Sequence, residues 1–465
     1  MKHIAPVLLL ALCLAPPAFA DSTATSANEE ELAATFRETR AAAEQGDARA
    51  QNNLGEMYAN GRGVAQDDGQ AVNWYRKAAE QGHAQAQSSL GTMYVKGRGV
   101  SRDDAQAVMW YRKSADQGNA HGQYNLGFMY ANGRGVARDD AQAVSWLRKA
   151  GEQGYADAQL TLGVLYAKGR GVPRDDAEAV AWFRKAAEQG DASAQSGLGV
   201  MYGDGRGVAR DVAQAVVWFR KAADQGDASG QFNLGLSYKD GRGIAQDYAQ
   251  AAVWFRKAAD QGDAIAQFSL GTLYETGSGV SLDKAEATRW YRRAADQGLA
   301  AAQDHMGLMY MTGSGVVRDE AQAATWFRKA AEQGYANAQL AIGVSYAQGR
   351  GVPQDAAEAV RWYRRAADQG LASAQYNLGE IYEKGQGVAR DDSEAVVWYR
   401  KAAEQGDVYA QVNLGAMYRE GRGVARDTAQ AAAWFRKAAA QGDLLAQKTL
   451  REMGVGGSGN SEKVR

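Results

Sequence analysis

The chain has 465 residues, with 53 basic and 54 acidic side chains, a net charge of −1, 55 glycines, 11 tryptophans and one cysteine. So even a balance supplies neither the basic field that nucleic acid requires nor a polybasic patch for a membrane surface, and no nucleic-acid partner is expected. A lone Cys13 excludes an internal disulfide and a thiolate metal site.

Residues 1–20 have the layout of an export signal: Lys2 and His3, an apolar stretch from Ile4 to Ala15, and Ala18-Phe19-Ala20 ahead of Asp21. The stretch is too short to span a bilayer comfortably, so the mature chain is expected to carry no transmembrane segment and to be periplasmic or secreted. The alternative is a retained amphiphilic anchor, against which Pro16 and Pro17 break the helix where a signal should end. Cleavage removes Cys13, and Leu12 before it argues against lipid attachment.

Residues 21–28, rich in Ser, Thr, Ala and Asn, are expected to be a flexible lead-in. Residues 29–47 predict an N-terminal capping helix that ends in Ala43-Glu44-Gln45-Gly46, with Glu38 where later units carry tryptophan. From 48 to 443 every tryptophan, from Trp74 to Trp434, follows the last by 36 residues without insertion or deletion. A fixed period of this size predicts an all-α, α/α solenoid of eleven repeats, repeat 1 at 48–83 through repeat 11 at 408–443.

Each repeat predicts two helices. Ala50, Leu54, Met57 and Tyr58 make one apolar face, and Ala71, Trp74, Tyr75 and Ala78 another. Asp67 with Gln70 predicts a capping box, Gly82 a helix stop, and Gly61-Arg62-Gly63-Val64 a turn between the helices. Gly55 lies inside the first helix at a cost of about 1 kcal/mol, which close approach of the two helices would offset. Residues 444–453 predict a C-terminal capping helix with Gln447 in register with Gln51, and 454–465 a disordered tail.

The A-x-A-Q-x-x-L-G-x-M-Y half, the G-x-G-V loop and the W-[YF]-R-K-A-A-x-Q-G half together resemble the Sel-1-like repeat (SLR) family of tetratricopeptide-like solenoids. The resemblance implies antiparallel helix pairs in a right-handed superhelix and a role in holding proteins together. Exported bacterial members act as periplasmic regulators, envelope or exopolysaccharide assembly scaffolds, or host-binding factors. A cysteine-rich branch is linked to penicillin binding and β-lactamase activity, and these repeats depart from it by containing no cysteine.

Residues present in every repeat, such as Gln51, Tyr58, Asp67, Arg76 and Gln81, are expected to serve the stack, since a catalytic site needs a unique constellation. His83, His121 and His305 lie too far apart in sequence for a metal site, and Gly61-Arg62-Gly63 lacks the lysine and the β-α context of a phosphate loop. No catalytic residue, cofactor or metal is expected.

Function is instead expected at variable positions equivalent to 49, 52, 53, 56 and 60, because the first helices of tetratricopeptide-like stacks line the concave face. The candidate partner-binding residues there are Tyr124, Phe128, Phe232, Phe268 and Tyr376, with Asn53, Asn125, Asn233, Asn377 and Asn413. The aromatic side chains either line a groove or pack on the next repeat, and the asparagines either hold a ligand backbone or are plain helix-surface polarity. Tyr155, Leu299, Tyr335 and Leu371, at the turn after each Gly82 equivalent, are expected to form a second contact strip or to staple the helix start to the preceding unit. The expectation is a monomeric, non-catalytic scaffold for a protein or peptide partner. A β-lactam or cell-wall hydrolase and a polysaccharide-binding protein are the alternatives.

Overall fold

The computed structural model describes residues 22–454, and every regular element among them is a helix. The expected export signal, Cys13 and the expected tail from 455 onward lie outside the described residues. The first helix spans Ser22–Glu44, so the segment expected to be a flexible lead-in is helical from Ser22. No glycine or proline interrupts it before Gly46, and Ala24 and Ala27 continue the helix.

The helices group into two compact units, residues 1–218 and 219–465. Inside each, the repeats are built alike. In repeat 1 the first helix runs Ala48–Asn60 and the second Asp68–Glu80. Gly61 ends the first helix at φ 67°, a left-handed conformation that costs glycine nothing. Gly82, two residues past the end of the second and next to its cap Gln81, has φ 89°.

Asp67 caps the second helix by accepting the Gln70 amide at 2.9 Å. The reciprocal half of the expected capping box is replaced: the Asp67 amide donates to the Tyr58 carbonyl at 3.0 Å, tying the two helices together instead. The same backbone link recurs from Asp103 to Tyr94 and from Asp283 to Tyr274.

Glycine inside the first helix is a packing requirement. A Cβ at Gly91 would lie 2.7 Å from the Tyr111 ring, and one at Gly271 equally close to Tyr291. In the last helix, Leu444–Glu452, Arg451 takes this position and is exposed.

The core sits at the joints between repeats. Ala71, Val72, Tyr75, Ala78 and Ala79 of repeat 1 pack with Ala86, Leu90 and Met93 of repeat 2, and Trp110 of repeat 2 seals the cluster. In the second unit Ala287, Tyr291, Ala294 and Ala295 pack with Ala302, Met306 and Met309 under Trp326. A fully buried leucine such as Leu90 contributes about 1.5–3 kcal/mol, so no repeat has a sufficient core without its neighbour.

Polar links cross the same joints. The Gln87 side chain donates to the Ala79 carbonyl at 3.1 Å and accepts from Gln117 at 2.7 Å. In the first unit Arg98, Arg134, Arg170 and Arg206 pair with Asp68, Asp104, Asp140 and Asp176 of the preceding repeats at 2.6–2.8 Å. These guanidinium groups hold Asp68, Asp104 and Asp140 below the usual carboxylate range, and Arg174 together with Arg206 holds Asp176 at about 2.

Candidate functional site

What recurs in every repeat is consumed by the stack. Lys77 stacks on Trp74 at 3.9 Å, and Arg76 donates to the Tyr94 hydroxyl of the next repeat at 3.3 Å. Any site must come from residues that differ between repeats.

In the first unit Asn53 is exposed, and Asn125 is half-buried with its amide 3.4 Å from Ser88 Oγ of the preceding repeat. Tyr124 is half-buried against Tyr155, ring centroids 5.0 Å apart, while Phe128, one turn on, is 37% exposed. In the second unit Phe232 packs on Phe255 at 5.7 Å, Phe268 on Tyr291 at 5.3 Å, and Tyr376 on Tyr399 at 5.9 Å. These three rings are half-buried, so one edge joins the joint and the other faces outward. Asn233, Asn377 and Asn413 are half-buried. The structure brings Tyr376 and Asn413 into one cleft of about 540 Å³.

That cleft is charge-balanced from within. Tyr399 donates to Glu383 at 2.7 Å, Arg422 reaches Glu383 at 2.9 Å, and Lys384 pairs with Glu380. Burial pushes the Tyr376 and Tyr399 hydroxyls upward, keeping both neutral donors.

Tyr155, Leu299, Tyr335 and Leu371 each stand at the N-cap of a first helix and make no side-chain cap bond, whereas Asp47 there accepts the Ala50 amide at 2.7 Å. The lost cap costs about 1 kcal/mol, offset by apolar contact. Tyr155 packs on Tyr124 and on His121 at 4.9 Å, and Leu299 joins the cluster around Tyr291.

The sequence reading passed over several exposed or chemically distinct residues on the first helices. Ile265 is 39% exposed, Leu308 42% and Tyr409 67%. Asp304 is 6% exposed, the one carboxylate at its position among the repeats. The signal lay in columns 49, 52 and 56, read residue by residue rather than as an average. Among the described residues no three His, Cys, Asp or Glu side chains converge on a metal site, and no helix is long and apolar enough to cross a membrane.

The Sel1 repeat family model matches residues 48–83, 84–119 and each following 36-residue block through 408–443. A protective antigen present in uropathogenic Escherichia coli strains, with an SLR fold, is 42% identical over 90% of both chains with a TM-score of 0.74. A Sel1 repeat protein from Oxalobacter formigenes is 35% identical, covering 52% of this chain and 96% of its own, with a TM-score of 0.48. The chain has no match among curated proteins. Sel1 repeat proteins are generally protein-interaction scaffolds and typically non-catalytic. With eleven in-register matches, the chain belongs to the Sel1 repeat family.

Proposed function

We propose that the protein is a non-catalytic scaffold, exported to the periplasm or beyond, that binds a protein or peptide partner through the exposed side chains of its first helices. The observation that carries this reading is the division of labour within each repeat. Repeated residues are spent on the joints, while apolar groups that differ between repeats, Phe128, Ile265, Leu308 and Tyr409, stay exposed on first helices. Lys2, the apolar residues 4–15 and Ala18-Phe19-Ala20 support export, and likeness to a protective antigen is in keeping with it.

The test is affinity capture from native envelope and medium, comparing the unaltered protein with a Phe128→Ala, Leu308→Ala, Tyr409→Ala variant of equal helicity. These sites are chosen over Phe232, Phe268 and Tyr376 because truncating half-buried rings also weakens the joints. A partner lost by the variant is expected. A partner retained in full would move the site off the first helices, and no partner at all would sink the scaffold reading.

A further inference from the structure

Within the second unit, the first helices of repeats 7, 8 and 9, Ala264–Thr276, Ala300–Thr312 and Ala336–Gln348, carry two carboxylates, Glu275 and Asp304, and no lysine or arginine. In a chain otherwise balanced in charge, this run is acidic. Glu275 accepts the Tyr291 hydroxyl at 2.7 Å and, among the described residues, makes no ion pair. Asp304 is more than nine-tenths buried as a residue and, among the described residues, has neither a hydrogen bond nor an ion pair, while its carboxylate oxygens are not among the fully enclosed polar atoms.

The register explains why Asp304 lacks a partner. A side chain at its position meets the residue one place further along in the next repeat: Ser88 meets Asn125, and Phe268 meets His305 with ring centroids 4.9 Å apart. For Asp304 that residue is Ala341, which has no polar group to offer. A largely buried carboxylate without a donor is costly, and burial has pushed its carboxyl up to about 6 against the opposing pull of the adjacent His305.

The surroundings suit a cation flanked by apolar groups. His305 lies against Phe268 and, at 5.2 Å, against Tyr291. Its Nδ1 lies 3.0 Å from the Ala301 carbonyl, which holds the ring in place. Leu308, one turn beyond Asp304 on the same helix face, is exposed, and so is Ile265, one turn before Phe268 on the first helix of the preceding repeat.

We propose that this face receives a lysine or arginine side chain of a partner polypeptide, which pairs with Asp304 while neighbouring apolar residues of the partner rest on Leu308 and Ile265. This rests on the protein-binding reading above and names the chemistry of the partner. Charge complementarity selects the occupant, because an acidic or neutral segment would leave Asp304 unpaired and desolvate it further.

The experiment pans a random dodecapeptide library displayed on phage against the full chain, then measures the winning synthetic peptide on unaltered protein and on Asp304→Asn. Asparagine keeps the size and shape of aspartate while removing the charge, and equal helicity is checked first. Winners with a lysine or arginine between apolar residues are expected, bound about tenfold or more weakly by Asp304→Asn and more weakly by Leu308→Ala. Winners without a basic residue, or equal binding by Asp304→Asn, overturn this assignment and leave the scaffold reading standing. No enrichment of any peptide counts against both.

Discussion

Asp304 illustrates how one side chain can be expensive to the fold. Its folded-state carboxyl, at about 6, lies above the ordinary carboxylate value of about 3.9, so the folded protein holds the proton more tightly. The associated stability is therefore fully present below about pH 4 and lost as pH rises through about 6. Repeats 4 and 9 place Leu160 and Leu340 at this position. Asp304→Leu is expected to raise stability by about 1–3 kcal/mol near neutral pH, with the gain shrinking at about pH 4. Urea unfolding of both proteins at the two pH values checks this, and an equal gain at both would assign the effect to packing alone. The sequence showed an acid in a mostly apolar or small column. It did not show that the facing residue would be alanine, because that requires the lateral register between repeats.

At the scale of the element, each first helix is held from two sides by one glutamine. Gln87 is buried, so Gln87→Leu removes two hydrogen bonds at once, leaving the Ala79 carbonyl to backbone amides such as that of Gly82 and the Gln117 side-chain amide to the Lys113 carbonyl. Loss of about 1–3 kcal/mol is expected, with faster amide hydrogen exchange centred on the first helix of repeat 2, Ala84–Lys96. Gln117→Ala removes only the exposed end of the link and should cost less than Gln87→Leu; the reverse order of melting temperatures would contradict the network. Helix starts, stops and the internal glycine were legible from periodicity, because each depends on residues within one repeat. The glutamine link was legible only as an invariance, since its partners lie 8 and 30 residues away. The Tyr58 carbonyl taking the Asp67 amide was hidden for a similar reason: a side-chain pattern announces a capping box, but a backbone pair leaves no mark on residue type.

For the whole molecule, the architecture was readable because nothing breaks the 36-residue period, whereas the candidate face was only half readable because exposure depends on the neighbouring repeat. Deleting residues 156–191 joins Tyr155 to Ala192 in register and offers Asp140 the guanidinium of Arg206 in place of Arg170. Circular dichroism of this variant is expected to show unchanged helicity per residue and a melting temperature about 2–5 °C lower, with unfolding still cooperative. Loss of the cooperative transition would contradict interchangeable joints. That interchangeability extends to inheritance. A gene whose segments encode mutually compatible neighbours can recombine with itself out of alignment and still yield a foldable product, so repeat number is a trait that varies without a new joint being invented. What such an exchange alters is the inventory of one-off residues: a descendant lacking repeat 8 would keep the scaffold and lose Asp304.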